Sequence, residues 1–202
     1  NALNGKATRR QVAVYFNGKT DGPRMDLLLY IPNNVKGRVP AILGLNFWGN
    51  HAIHPDPAIR ITPSWMESGK GNPYANLSCV VNHQATEACR GINANQWPLD
   101  TILSRGYAVV TAYREDIASD DAKTGLQKGV HTLYPDFQNR GDNFGTIAAW
   151  AWALSRAMDY FQTDRQIDAK RVALQGASRL GKTVLWAGIH DTRFKMVIAS
   201  IS

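Results

Sequence analysis

The chain has 202 residues, 44% hydrophobic and 19% charged, which suits one domain with a real core or part of a larger one. Its formal net charge of +7 favours an anionic partner, but no Lys/Arg run exceeds two residues, which argues against a nucleic-acid surface. No segment approaches the roughly 18 apolar residues that a membrane helix needs, so neither nucleic acid nor membrane is expected as a partner.

Residues 12–16 and 25–32 read as two strands around a turn carrying Asn17-Gly18 and Asp21-Gly22-Pro23. Residues 39–47 are almost continuously apolar, the pattern of a strand buried on both faces. Residues 48–97 then carry Gly, Asn, Pro and His with little periodicity, and so long a stretch inside a compact domain is usually functional. Pro98 and Gly106 bracket a short helix through Leu99, Ile102 and Leu103. Residues 107–113 form the next buried strand, and a second long polar loop runs to about Gly145. Ile147, Trp150, Ala151, Leu154, Ala157, Met158 and Phe161 repeat every three or four positions and predict the best helix of the chain. Residues 171–175 read as a strand, 176–183 as a turn leading into a helix, and 194–202 as a last strand. Two leading strands followed by strand–helix units predict an α/β fold with a mostly parallel sheet.

The smaller signals are less specific. Six Trp are many for this length and fit either a buried core or a carbohydrate-facing surface. Cys79 and Cys89 sit ten positions apart in a polar loop. They either pair, closing a loop worth about 2–3 kcal/mol, or remain free thiols. Asn76-Leu-Ser78 is a glycosylation sequon, meaningful only in a eukaryotic secretory host. His51, His54 and Asp56 have a spacing that could hold a metal, but nothing supplies a further ligand, and no metal or other cofactor is expected. His83 and His131 read as structural loop residues. The first residue, Asn1, suggests a processed or trimmed N-terminus.

Residues 176–183, Gly-Ala-Ser-Arg-Leu-Gly-Lys-Thr, admit two chemistries. An apolar strand, a Gly-bounded turn and a helix suit a nucleophile elbow with Ser178 exposed at its tip. The same letters fit Gly-x4-Gly-Lys-Thr, in which Lys182 would meet terminal phosphates and Thr183 a magnesium ion. That loop also needs an acid ending a neighbouring strand, and Asp116 is the one candidate. For an elbow, Gly176 stands two before Ser178 as expected, while the second Gly arrives one position late, at 181.

The run from Gly176 to Gly188, Gly-Ala-Ser-Arg-Leu-Gly-Lys-Thr-Val-Leu-Trp-Ala-Gly, resembles the nucleophile region of bacterial glucuronoyl esterases, carbohydrate esterase family 15. Residues 45–51, 105–113 and 129–134 look like further blocks of that family in family order, so the resemblance spans about residues 40–202. It implies an α/β-hydrolase fold, a three-layer sandwich with helices on both faces of the sheet. It also implies a serine esterase, secreted or periplasmic, cleaving the ester between 4-O-methyl-glucuronic acid of xylan and lignin alcohols. Ser178 would be the nucleophile. Arg179 would offer its backbone N–H and its guanidinium to the oxyanion, and Lys182 would bind hydroxyls of the uronate sugar. Two cations at a helix start oppose the helix dipole, which itself suggests an anionic target. The chain departs from fungal members at Ala177, where they have Cys, and at Ile201, where they have the catalytic Glu.

Hydrolases of this fold place the acid and the His after the Ser in the chain. Only His190 and Asp191 follow Ser178, at the far end of the helix that begins there. Residues 1–202 therefore read as the N-terminal portion of a single α/β-hydrolase domain whose C-terminal strands are absent from this chain. That portion is the expected partner, and 1–202 alone is expected to be poorly soluble and inactive. The rival readings are a nucleoside-triphosphate hydrolase built on residues 176–183 and a hydrolase-like carbohydrate-binding module without a complete triad.

Overall fold

The computed structural model describes residues 1–67 and 78–201; Asn76 of the sequon and Ser202 lie outside the described residues. In chain order the elements are strands β1 (Ala7–Tyr15), β2 (Arg24–Pro32) and β3 (Val39–Asn46), then a small hairpin of β4 (Val80–Val81) and β5 (Gln84–Ala85). Helix α1 (Leu99–Ser104), strand β6 (Ala108–Tyr113) and helix α2 (Arg114–Ile117) follow. The chain continues through α3 (Thr146–Thr163), β7 (Ile167–Ala177), α4 (Arg179–His190) and β8 (Met196–Ser200).

Six strands form one sheet in the order β1-β2-β6-β3-β7-β8. β2 runs antiparallel to both of its neighbours, and every other pairing is parallel. Successive side chains of a strand point to opposite faces, and here each face has its own core. Leu27, Leu29 and Ile31 of β2 join Leu43, Leu45, Val110 and Leu174 beneath Trp150, Leu154, Met158 and Phe161 of α3 and Val184 of α4. Leu28 and Tyr30, with Val109 of β6, turn the other way against Leu99 and Leu103 of α1, Ile53, Ile59 and Trp97. The result is three layers. Among the described residues no helix is long and apolar enough to cross a membrane.

The structure corrects several boundaries. β1 begins at Ala7 rather than at 12, in register with β2 from Ala7–Pro32 to Tyr15–Arg24. Its first half looks too polar for a strand, yet each polar side chain there has a distant partner. Arg9 pairs with Asp56, Arg10 with Tyr160 and Asp164, and Gln11 bonds Ala58 and Arg60. β7 likewise starts four residues early, at Ile167. The described parts of the long loops are built from short 3-10 turns, the β4–β5 hairpin and the single turn of α2. Cys79 and Cys89 are joined by a disulfide. Two of the six Trp, 97 and 150, are buried in the core; 186 is exposed, and 48, 65 and 152 are partly buried.

Gly176 is where the helix start approaches the end of the strand most directly, with no room for a side chain. A side-chain carbon there would lie 2.3 Å from the Leu180 carbonyl oxygen, a backbone atom that cannot swing aside. We expect Gly176→Ala to lower stability by about 1–3 kcal/mol, the usual cost of overpacking, as measured by denaturant unfolding. An unchanged midpoint would mean that α4 can lift away from the sheet.

Candidate active site

β7 ends at Ala177 and α4 starts at Arg179, so Ser178 alone makes the turn between strand and helix. Its backbone lies at φ 54°, ψ −127°, a conformation that costs a non-glycine residue about 1–3 kcal/mol. Three contacts hold it there. The Ser178 N–H donates to the Ser200 carbonyl at 2.9 Å, the Lys182 N–H donates to the Ser178 carbonyl at 3.2 Å, and Gly176 lets the helix start rest on the strand. The residue is exposed, and among the described residues no side chain bonds its hydroxyl. This is the geometry that lifts a serine above a sheet.

A phosphate cradle is excluded by the same geometry. It needs several loop N–H groups wrapped around an anion, and here one residue separates strand from helix. Thr183, which would hold magnesium, is buried and donates its hydroxyl to the Arg179 carbonyl at 3.0 Å. Asp116, the acid such a site would need, instead accepts bonds from Thr62 Oγ1 at 2.7 Å and Ser64 Oγ at 2.6 Å.

Arg179 opens onto a cleft of about 330 Å³ lined by Trp65, Glu67, His83, Arg114, Asp120 and Asp121 among others. Both long loops thus supply its walls, as expected of loops leaving the carboxyl ends of strands. The wall from the first loop is pinned. Trp65 and His83 stack with centroids 5.2 Å apart, His83 Nδ1 lies 3.0 Å from the Met66 carbonyl, and Tyr113 Oη donates to the Trp65 carbonyl at 3.0 Å. Met66 packs with Tyr113 and the Cys79–Cys89 bridge. His83, read from sequence as a structural loop residue, is therefore also a wall of the cleft. Lys182, one helical turn beyond Ser178, is exposed.

The floor holds a charge cluster that the sequence did not announce. Arg114, its side chain only 2% exposed, forms an ion pair with Glu115 Oε1 at 2.9 Å and donates to Asp120 Oδ2 at 2.5 Å. Its guanidinium lies 5.3 Å from the Phe47 ring centre and 5.2 Å from that of Trp150. Arg179 Nη1 pairs with the same Asp120 oxygen. Burial, with Arg114 close by, lowers the Arg179 pKa from its ordinary value. Burial raises that of Glu115 against the pull of Arg114. The one sequence signal for this cluster was Arg114-Glu115-Asp116 directly after an apolar strand.

His51, His54 and Asp56 do not converge. His54 Nδ1 accepts the Asp56 N–H at 3.1 Å, and the Asp56 carboxylate pairs with Arg9. His51 is fully buried, both ring nitrogens are unpartnered among the described residues, and burial pulls its pKa down to about 4. Among the described residues no three His, Cys, Asp or Glu side chains are grouped to hold a metal ion. His190 closes α4 with Nδ1 2.9 Å from the Trp186 carbonyl, and Asp191 is tied to Arg193. Twelve helical residues put them about 18 Å from the turn.

A mostly parallel sheet, helices on both faces and a serine on a strained strand-to-helix turn define the α/β-hydrolase class. Residues 71–202 match the family model described as glucuronyl esterase, fungi. The chain is 45% identical over its whole length to carbohydrate esterase MZ0003 of an unknown prokaryotic organism, covering 45% of that protein. It is 31% identical to 4-O-methyl-glucuronoyl methylesterase 1 of Phanerochaete chrysosporium, over 71% of this chain and 33% of the relative. The structure of the glucuronoyl esterase from Solibacter usitatus superposes with a TM-score of 0.82 at 40% identity, covering 98% of this chain and 48% of that one. The chain belongs to the glucuronoyl esterase family. It spans less than half the length of these relatives.

Asp116 yields a pH test. Burial outweighs the Ser64 and Thr62 hydrogen bonds and pushes its carboxyl from 3.8 up to about 6. Between those values the folded chain keeps a proton that the unfolded chain has released, so this group makes stability fall as pH rises. We expect Asp116→Asn to remove that fall, gaining on the wild type from pH 4 to pH 6 in denaturant titrations. Parallel curves for the two proteins would contradict it.

Proposed function

We propose that this chain is the nucleophile-bearing N-terminal portion of one α/β-hydrolase domain. We propose further that the domain is an esterase cleaving the bond between 4-O-methyl-glucuronic acid on xylan and lignin alcohols. The observation that carries this reading is Ser178, exposed on a strained turn with Arg179 beside it at the mouth of a polar cleft. The Ser178 hydroxyl attacks the ester carbonyl as its proton passes to a base, and the alcohol leaves with a returned proton. The negative charge on the carbonyl oxygen meets the N–H groups of the first turn of α4, which have no intrahelical acceptor, and the Arg179 guanidinium. A positioned donor of this kind is worth about 10²–10³ in rate. Lys182, one turn along the same helix, reaches for hydroxyls of the uronate ring.

His190 and Asp191 are engaged at the other end of α4, so the base and its acid come from the remaining portion of the domain. The edge formed by α4 and β8 supports this division. Leu185, Trp186 and Ile189 of the helix are exposed, as are Met196 and Ile198, which share one face of β8. β8 is also the last strand in the sheet order, and an open strand edge invites pairing. A further strand would take that edge, and the elements beyond it would cover the exposed apolar side chains. The disulfide fits an oxidising compartment, outside the cell or in the periplasm.

In the enzyme carrying its whole domain, we expect Ser178→Ala to reduce alcohol release from benzyl glucuronate by at least about 10⁴-fold with unchanged circular dichroism. Retention of a tenth of the rate would remove Ser178 from the mechanism. Lys182→Ala is expected to raise KM for the same ester about tenfold while kcat stays within a few-fold, the mark of an interaction made equally in ground and transition states. A fall in kcat at constant KM would assign Lys182 to the chemical step instead.

A further inference from the structure

Behind Arg179 the charges alternate from the interior outward: Glu115, Arg114, Asp120, Arg179. The inner three are fixed independently of substrate. Arg114 is held by Glu115 and by the Phe47 and Trp150 rings. The Asp120 N–H lies 3.1 Å from each Glu115 oxygen. The preceding turn is pinned by the Trp150 indole, which donates to the Ala118 carbonyl at 2.9 Å. Asp120 thus presents its carboxylate from a rigid support, with its side chain 20% exposed toward the cleft.

Arg179 needs such a support. Its side chain is 46% exposed, sits at the positive end of a helix, and has a second guanidinium, that of Arg114, close behind it. An arginine carries about 2 kcal/mol of rotamer entropy. The Phe47 ring 6.0 Å away and the charges of Glu67 and Glu115 attract the guanidinium without directing it, and Asp120 supplies the one protein hydrogen bond among the described residues. The bond to Asp120 uses Nη1, and among the described residues Nε and Nη2 make no protein hydrogen bond. One edge of the fork is anchored while the other stays available.

We propose that Asp120 is a positioning residue for ester hydrolysis: anchored by Arg114 and Glu115, it holds the Arg179 guanidinium at the cleft mouth before substrate arrives. This rests on the reading that Arg179 works beside Ser178. Glu115, Arg114, Asp120 and Arg179 carry no net formal charge between them, and Glu67 and Asp121 add negative charge to the cleft walls, so Arg179 acts there as a directed donor rather than as part of a general positive patch.

The test is a double-mutant cycle in the enzyme with its whole domain, read as kcat and KM on benzyl glucuronate. Asp120→Asn is nearly isosteric and is expected to cut kcat about 10- to 100-fold, the scale of a misplaced catalytic group. KM should stay within about threefold and the thermal midpoint within a few degrees. Asp120→Glu, which keeps the charge, should recover part of the loss. In an Arg179→Ala background, itself slow, Asp120→Asn should cost less than about twofold more. Wild-type kcat in Asp120→Asn, or an equal loss with and without Arg179, would overturn the positioning role while leaving Arg179 in place. Wild-type kcat in Arg179→Ala would overturn the underlying reading of Arg179, and the tether with it. If Asp120→Asn failed to fold, a folded Asp120→Glu whose loss persisted undiminished without Arg179 would overturn the role equally.

Discussion

The start of α4 rests directly on the end of β7, and that close approach governs the rest of the site. It requires a residue without a side chain at 176, because the Leu180 carbonyl occupies the space. It leaves a single residue, Ser178, to reverse the chain, at a backbone conformation only the surrounding hydrogen bonds make tolerable. Everything the helix carries near its start, Arg179 and Lys182 included, is then delivered to the carboxyl edge of a parallel sheet. Strain at one residue is offset by packing around it, and that packing comes from strands β3 and β8 on either side.

The second organising element is electrostatic. Burying Arg114 takes a charge out of water, and an isolated buried charge is costly unless paired and hydrogen-bonded. Here it is paired with two carboxylates and covered by two aromatic rings. Such a cluster adds little to stability compared with a well-packed apolar core, but it fixes directions. The loop after β6, the start of α3 through Trp150 and the start of α4 through Arg179 all meet at it.

The walls of the cleft depend on a different device. Residues 48–97 lack the periodicity of any regular element, and their described parts, 48–67 and 78–97, are held by local turns, a two-residue-strand hairpin and the Cys79–Cys89 bridge. These tie Trp65 and His83 to Tyr113 at the end of β6, so an irregular loop becomes a fixed surface. Arg90 adds to this by donating to the Ile59 carbonyl at 2.6 Å. The opposite edge of the sheet, at β8, shows apolar side chains to solvent, as the interior of a larger sheet would.

The α/β class, the strand and helix order, and the strand–turn–helix setting of Ser178 were legible in the residues alone. Each rests on local chemistry: apolar alternation, helical periodicity, and Gly176 where no side chain fits. The Ser-Arg-x-Gly-Lys signature carried the family for the same reason, since its residues are contiguous. What only the tertiary structure decided is which distant groups meet. The polar first half of β1 becomes a strand because Asp56, Tyr160, Asp164 and the 58–60 segment satisfy it from afar. The serine and phosphate-loop readings of residues 176–183 separate because the turn has one residue rather than several, a fact of backbone geometry rather than of letters. Asp120 was one acid in a polar loop until folding put it, 59 positions away in sequence, against Arg179. Sequence patterns record what a residue does to its neighbours in the chain; a charge network is set by neighbours in space.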